Sequence, residues 1–129
     1  MGEPLIVITK STIKEGRERD IAKWHQRIDN IVERNEPQII AFHAFLNEDA
    51  TEMTSIQVHP DAASMELHMQ VLGENWDESF SDYAQLLNIL SVECYGNPAA
   101  SAVSMDRERG LAVTVHPRHL GGFTRSPGE

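Results

Sequence analysis

"QIIAFHAFLN" (residues 38–47) and "TEMTSIQVHP" (51–60) are two runs rich in β-branched and aromatic residues, parted only by the polar "EDA" (48–50). Two such runs around a short polar break predict a β-hairpin. "DAASMELHMQ" (61–70) follows at once. Asp61 is placed to accept a hydrogen bond from the first free amides of a helix, and Ala62, Met65, His68, Met69 and Leu72 then fall on one face as far as Gly73. A hairpin feeding directly into an amphipathic helix is the middle of an α+β unit, and the flanking segments say which one.

On the amino-terminal side, "LIVITKSTI" (5–13) opens with the unbroken apolar run of a strand covered on both faces. Between Glu15 and Asn35, residues Ile21, Trp24, Ile28, Ile31 and Val32 recur at three- and four-residue spacing, which predicts an amphipathic helix that Pro37 ends. On the carboxyl-terminal side, "SFSDYAQLL" (79–87) predicts a short helix. "NILSVECYG" (88–96) alternates Leu90, Val92 and Cys94 with Ser91, Glu93 and Tyr95, as a fourth strand would. The order is the ferredoxin-like β-α-β-β-α-β of the α+β class, one antiparallel sheet with helices on one face. Its other face, with Val, Ile, Phe and Tyr upon it, is expected to be covered by a second copy of the chain. Residues 1–97 hold this unit. Residues 98–129 are an extension expected to belong to the same domain: a helical turn at "NPAASAV", then "LAVTVHP" (111–117) as an extra edge strand that Pro117 ends. The Gly121–Gly122 pair is expected to let Phe123 fold back onto an apolar surface.

With 129 residues the chain suits one domain, and with 20 acidic against 11 basic residues it carries a net charge of −9. That charge repels phosphate backbones and anionic lipid surfaces, so neither nucleic acid nor membrane is an expected partner. No apolar run approaches the roughly 18 residues of a membrane span. The amino terminus has no basic residue ahead of its first apolar run, and the single Cys94 has no partner for an intramolecular disulfide. A cytoplasmic protein is the expectation. The sequence has no H-x-x-x-H, H-E-x-x-H or C-x-x-C spacing, no glycine-rich phosphate loop and no G-x-S-x-G elbow. No metal site, nucleotide cofactor or serine-hydrolase centre is therefore expected.

Residues 5–96 resemble the dimeric α/β-barrel superfamily, and within it the antibiotic biosynthesis monooxygenase-like domains. "LIVITKSTIKEGRERDIAKW" is similar to the family's first strand, glycine turn and helix. "EPQIIAFHAFLN" is similar to its "xPGxxxxxxxx" second strand, with Gln38 where the family often has glycine, and "VHPDAASMELHM" to its "YxDxxAxxxHxxx" segment. The resemblance implies a homodimer whose two sheets close a barrel, with a pocket in each subunit between sheet and helices. It also implies a small monooxygenase-like enzyme acting on a hydrophobic, aromatic substrate with O₂ and no dedicated cofactor. The alternative is a non-catalytic homodimer of the same fold that binds a small ligand or haem.

His68 is the candidate catalytic residue, because it lies on the apolar face of the second helix and matches the family's "AxxxH" histidine; the competing reading is a core histidine satisfied by the backbone. Trp24, Trp76, Phe80 and Tyr83 are candidate substrate-binding walls, although large apolar residues at helical spacing are more often plain core, and Met65 and Met69 are candidates that fit pocket and core equally. If Ile56, Val58, Leu90 and Val92 face the helices, then His43, Gln57, His59, Glu93 and Tyr95 form a polar cluster at the dimer interface. His59 and His68 then stand on opposite sides of the sheet. Cys94 is expected among apolar residues on the helix side, as an inert thiol.

Overall fold

The apolar run at the amino terminus forms β1 (Leu5–Ile13), the central strand of a five-stranded sheet, in a computed structural model that describes residues 3–125 apart from the side chains of Ser79 and Tyr83. The other strands are β2 (Ala41–Leu46), β3 (Glu52–His59), β4 (Leu87–Tyr95) and β5 (Val113–His116), in the order β2-β3-β1-β4-β5. The first four pair antiparallel, and β5 adds in parallel to β4. With α1 (Glu18–Asn35), α2 (Ala62–Glu74), α3 (Glu78–Ala84) and α4 (Ala100–Glu108), the chain is the expected α+β, ferredoxin-like unit plus an extra strand. No helix among the described residues is long and apolar enough to cross a membrane.

Each helix is set by its sequence pattern. The α1 stripe Ile21, Trp24, Ile28 and Val32 is wholly buried. The carboxylate of Asp61 accepts the Ser64 N–H at 2.9 Å and so starts α2. Gly73 does not stop that helix, which runs to Glu74 because the Asn75 side-chain amide donates to the Val71 carbonyl at 2.8 Å and satisfies the last turn without a left-handed residue. β2 begins at Ala41 rather than Gln38, because the Gln38 side chain turns toward Ser64 and the Ile39 N–H donates to the Glu36 carbonyl.

The face assignment of β3 is reversed from the sequence expectation. Val7 is buried against the helices and pairs with Gln57, while Leu5 pairs with His59. Residues directly opposite share a face, so Met53, Ser55, Gln57 and His59 turn toward the helices and Ile56 and Val58 toward the open face. Gln57 and His59 therefore turn away from the open face on which the interface cluster is expected. Register won over polarity here because the buried side chains satisfy one another and α2 with hydrogen bonds. On β4, Val92 and Cys94 point inward, and burial raises the Cys94 thiol pKa. Leu90 is half-exposed, since the β1–β4 register shifts between Lys10 and Ser11 and takes Leu90 out of line.

The open face carries Ile6, Ile8, Ile56 and Val58 at its centre, all half-buried. His43, Glu93 and Tyr95 lie on that same face, with the Tyr95 hydroxyl donating to Glu93 and its ring stacked on His116 at 4.6 Å. The extension packs onto the same sheet, where Ala102, Leu111, Val113 and Val115 meet Leu5, Val7, Val92 and Cys94. Phe123 does not fold back: it is exposed beneath the Arg125 guanidinium.

Candidate active site

Glu36 closes α1, its N–H donating to the Val32 carbonyl at 2.9 Å, and the turn before Pro37 sends its carboxylate inward, where the residue is 1% exposed. There it meets His68 of α2, whose Nδ1 is 2.9 Å from both carboxylate oxygens. A carboxylate only accepts, so Nδ1 carries a proton, and in the neutral imidazole the lone pair is on Nε2. His68 lines a cavity of about 960 Å³ between sheet and helices, and its Nε2 has no protein partner among the described residues. A buried carboxylate that fixes a histidine's tautomer and orientation is an arrangement suited to general-base chemistry at Nε2.

The second histidine is beside the first. His59 is wholly buried, with Nδ1 2.6 Å from Ser64 Oγ and Nε2 2.9 Å from Gln57 Oε1. Its ring centre is 5.9 Å from that of His68, so the two share one side of the sheet, contrary to the sequence expectation. Burial, and then the nearness of His68, push its pKa down to about 4, against a smaller opposing pull from Asp61.

Around this polar core the walls are apolar. Phe42 packs on His68 at 5.5 Å and stacks on His25 at 5.6 Å, while His25 holds Asp29 at 3.1 Å. Trp24, Met65, Met69 and half-exposed Trp76 line the cavity as candidate substrate contacts. Phe80 does not. It is 1% exposed and lies against Trp24 and Trp76, with its carbonyl accepting the Trp24 indole N–H at 3.1 Å, so it supports the wall from behind. The Tyr83 side chain, also a candidate, lies outside the described residues. The cavity is also lined by Met105 and Asp106 of α4 and by Arg109, which caps that helix, and burial raises the Asp106 carboxyl pKa against the pull of Arg109. Among the described residues no three His, Cys, Asp or Glu side chains are grouped to hold a metal ion.

Sequence reasoning passed over Glu36, Gln38 and Ser64. The Glu36–His68 contact spans 32 positions, and nothing local marks a glutamate at a helix end as a histidine's partner. A weak signal existed for Ser64, three residues after a capping aspartate and on the buried side of α2.

No family model matches the sequence, and no curated protein is detectably similar to it. Solved structures are similar. MupZ from Pseudomonas fluorescens superposes with a TM-score of 0.75 at 15% identity, over 97% of this chain and 91% of that one. SnoaB, a cofactor-independent oxygenase from Streptomyces nogalater, gives 0.56 at 12% identity over 77% of this chain and 97% of its own. A protein described as an antibiotic biosynthesis monooxygenase from Nitrosomonas europaea gives 0.54 at 11% identity over 78% and 95%. Likeness at such identities speaks for the backbone arrangement, and on that ground the chain has the α+β fold of the antibiotic biosynthesis monooxygenase-like proteins.

Proposed function

We propose that this chain is a cofactor-independent, monooxygenase-like enzyme that oxidises a hydrophobic aromatic substrate within the cavity. The observation that carries the reading is the Glu36–His68 pair, a carboxylate-held imidazole whose free nitrogen opens into a largely apolar space. His68 Nε2 takes the acidic proton of a phenol, and Glu36 stabilises the imidazolium that forms. The electron-rich anion left in the cavity then reacts with O₂: a carbon–oxygen bond forms, water leaves, and a carbonyl remains. For 1-naphthol the sum is C₁₀H₈O + O₂ → C₁₀H₆O₂ + H₂O, so the substrate supplies all four electrons that reduce O₂ and no redox cofactor is required. Trp24, Met65, Met69 and Trp76 supply the apolar walls that hold the ring and exclude water. The fold shared with SnoaB supports the same reading. A homodimer joined through the open sheet face belongs to it, since Ile6, Ile8, Ile56 and Val58 otherwise remain half-exposed at the centre of the sheet.

The test is oxygen uptake with 1-naphthol alongside absorbance of the quinone. One quinone per O₂ is expected, falling by about 10²–10⁴ in His68→Gln and by a smaller factor in Glu36→Gln. Tight binding of 1-naphthol without oxygen uptake would instead favour a ligand-binding protein.

A further inference from the structure

Gln57 is a polar cavity residue, close to the histidine pair, that the base chemistry leaves without a task. It lines the cavity from β3, directly opposite Phe42 of β2, whose ring lies against His68. Its side-chain oxygen is bound to His59 Nε2 at 2.9 Å, and its amide nitrogen has no protein partner among the described residues. Which end of that amide faces the cavity depends on which nitrogen of His59 carries the proton, and a chain of hydrogen bonds decides it. The Gln38 amide nitrogen lies 3.5 Å from the Ser64 carbonyl and 3.2 Å from Ser64 Oγ. A carbonyl only accepts, so Gln38 presents N–H to this side. Ser64 Oγ, having received that bond, has one proton to give, and among the described residues His59 Nδ1, at 2.6 Å, is the acceptor within its reach. His59 is then protonated on Nε2, donates to Gln57 Oε1, and leaves the Gln57 N–H groups for the cavity.

We propose that Gln57 is a second substrate-binding group, whose amide N–H holds the oxygen that gains negative charge as His68 removes a proton. The site thereby selects aromatic ketones and phenols over hydrocarbons of the same shape. Gln38, Ser64 and His59 are positioning residues, because they act only through the orientation of that amide. The selectivity follows from the cost of unmatched polar groups: a donor in an apolar space rewards an acceptor placed on it, and most of all an oxygen becoming an anion. The inference rests on His68 as the base of the proposed function, but not on the reaction with oxygen.

2-Tetralone separates the two, since its benzylic C–H lies next to a carbonyl and its exchange with D₂O under nitrogen needs a base and an oxygen-binding group but no O₂. The chain is expected to catalyse that exchange, seen by proton NMR, and to bind 2-tetralone more tightly than tetralin. Gln57→Leu should lower kcat for exchange about a hundredfold with KM changed far less, the pattern of a donor that matters most in the transition state. Nitrogen-15 spectra of the wild-type chain should show His59 protonated on Nε2, a readout that stands even if Gln57→Leu does not fold. Exchange no faster than in buffer, equal affinity for tetralin, a folded Gln57→Leu that exchanges at the wild-type rate, or His59 protonated on Nδ1 would each overturn the assignment. Exchange without any oxygen uptake from 1-naphthol would leave Gln57 in place and remove only the oxygenase reading.

Discussion

His59 shows how one buried side chain ties the site to the stability of the fold. Its pKa is about 4 in the folded chain against 6.5 for a free histidine, so between those values the unfolded chain binds a proton that the native state refuses. Stability from this group is complete above pH 6.5 and is lost as pH falls toward 4, at most about 3 kcal/mol in all. Urea unfolding of wild type and His59→Asn at pH 7 and pH 5 should show a larger loss on acidification in the wild type. His68 contributes differently. Its removal leaves the Glu36 carboxylate buried without its partner, so His68→Ala is expected to cost about 1–3 kcal/mol in addition to activity, whereas Glu36→Gln keeps shape and a hydrogen-bonding group and should cost less. Equal unfolding midpoints for the two variants would contradict this. Gly96 is sensitive for a steric reason: φ is +120°, and a Cβ there would stand 2.7 Å from the Pro4 carbonyl oxygen. Gly96→Ala should destabilise the chain by more than the ~1 kcal/mol of an ordinary glycine replacement.

Two elements matter most for the cavity, and each carries a test. The start of α2 is held by Asp61, and the same turn positions Ser64 against His59. Asp61→Ala should cost about 1 kcal/mol, a fall in Tm of about 4 °C, and should weaken the His59 hydrogen bond along with the cap. The extension is the other. β5 pairs with β4 from Val113 to His116, and the Ala112 and His116 carbonyls accept N–H groups of Val92 and Gly96 at 2.8 and 2.9 Å. Hydrogen exchange should therefore be slower over Val113–His116 than over residues 118–125. Uniformly fast exchange across both would mean that the edge strand does not form in solution.

For the whole molecule the open sheet face sets the expectation. Ile6, Ile8, Ile56 and Val58 form an apolar centre, edged by His43, Glu93 and Tyr95, on the side of the sheet away from the helices. Sedimentation at micromolar concentration should give twice the chain mass of 14.5 kDa, and Ile8→Lys with Ile56→Lys should return it to the monomer. A folded wild-type monomer would dismiss the closed barrel. It would leave the cavity intact, because the cavity opens on the helix side.

Periodicity alone determined most of the fold. The α1 stripe, the hairpin around "EDA", the Asp61 cap and the added strand at 113–116 were legible because each depends on local spacing and local hydrogen bonds. His68 was legible as a candidate because it stands on the apolar side of its own helix. Tertiary structure decided which face of β3 is inside. An alternating strand with polar residues on one side and isoleucine and valine on the other carries no absolute direction; that direction came from the pairing of Val7 with Gln57 across the sheet. The same pairing put His59 beside His68, and only the packing of α1 on α2 brought Glu36 to it from 32 positions away. Local sequence encodes which elements form, whereas a buried polar site depends on register and on contacts between distant segments, and no window of sequence contains those.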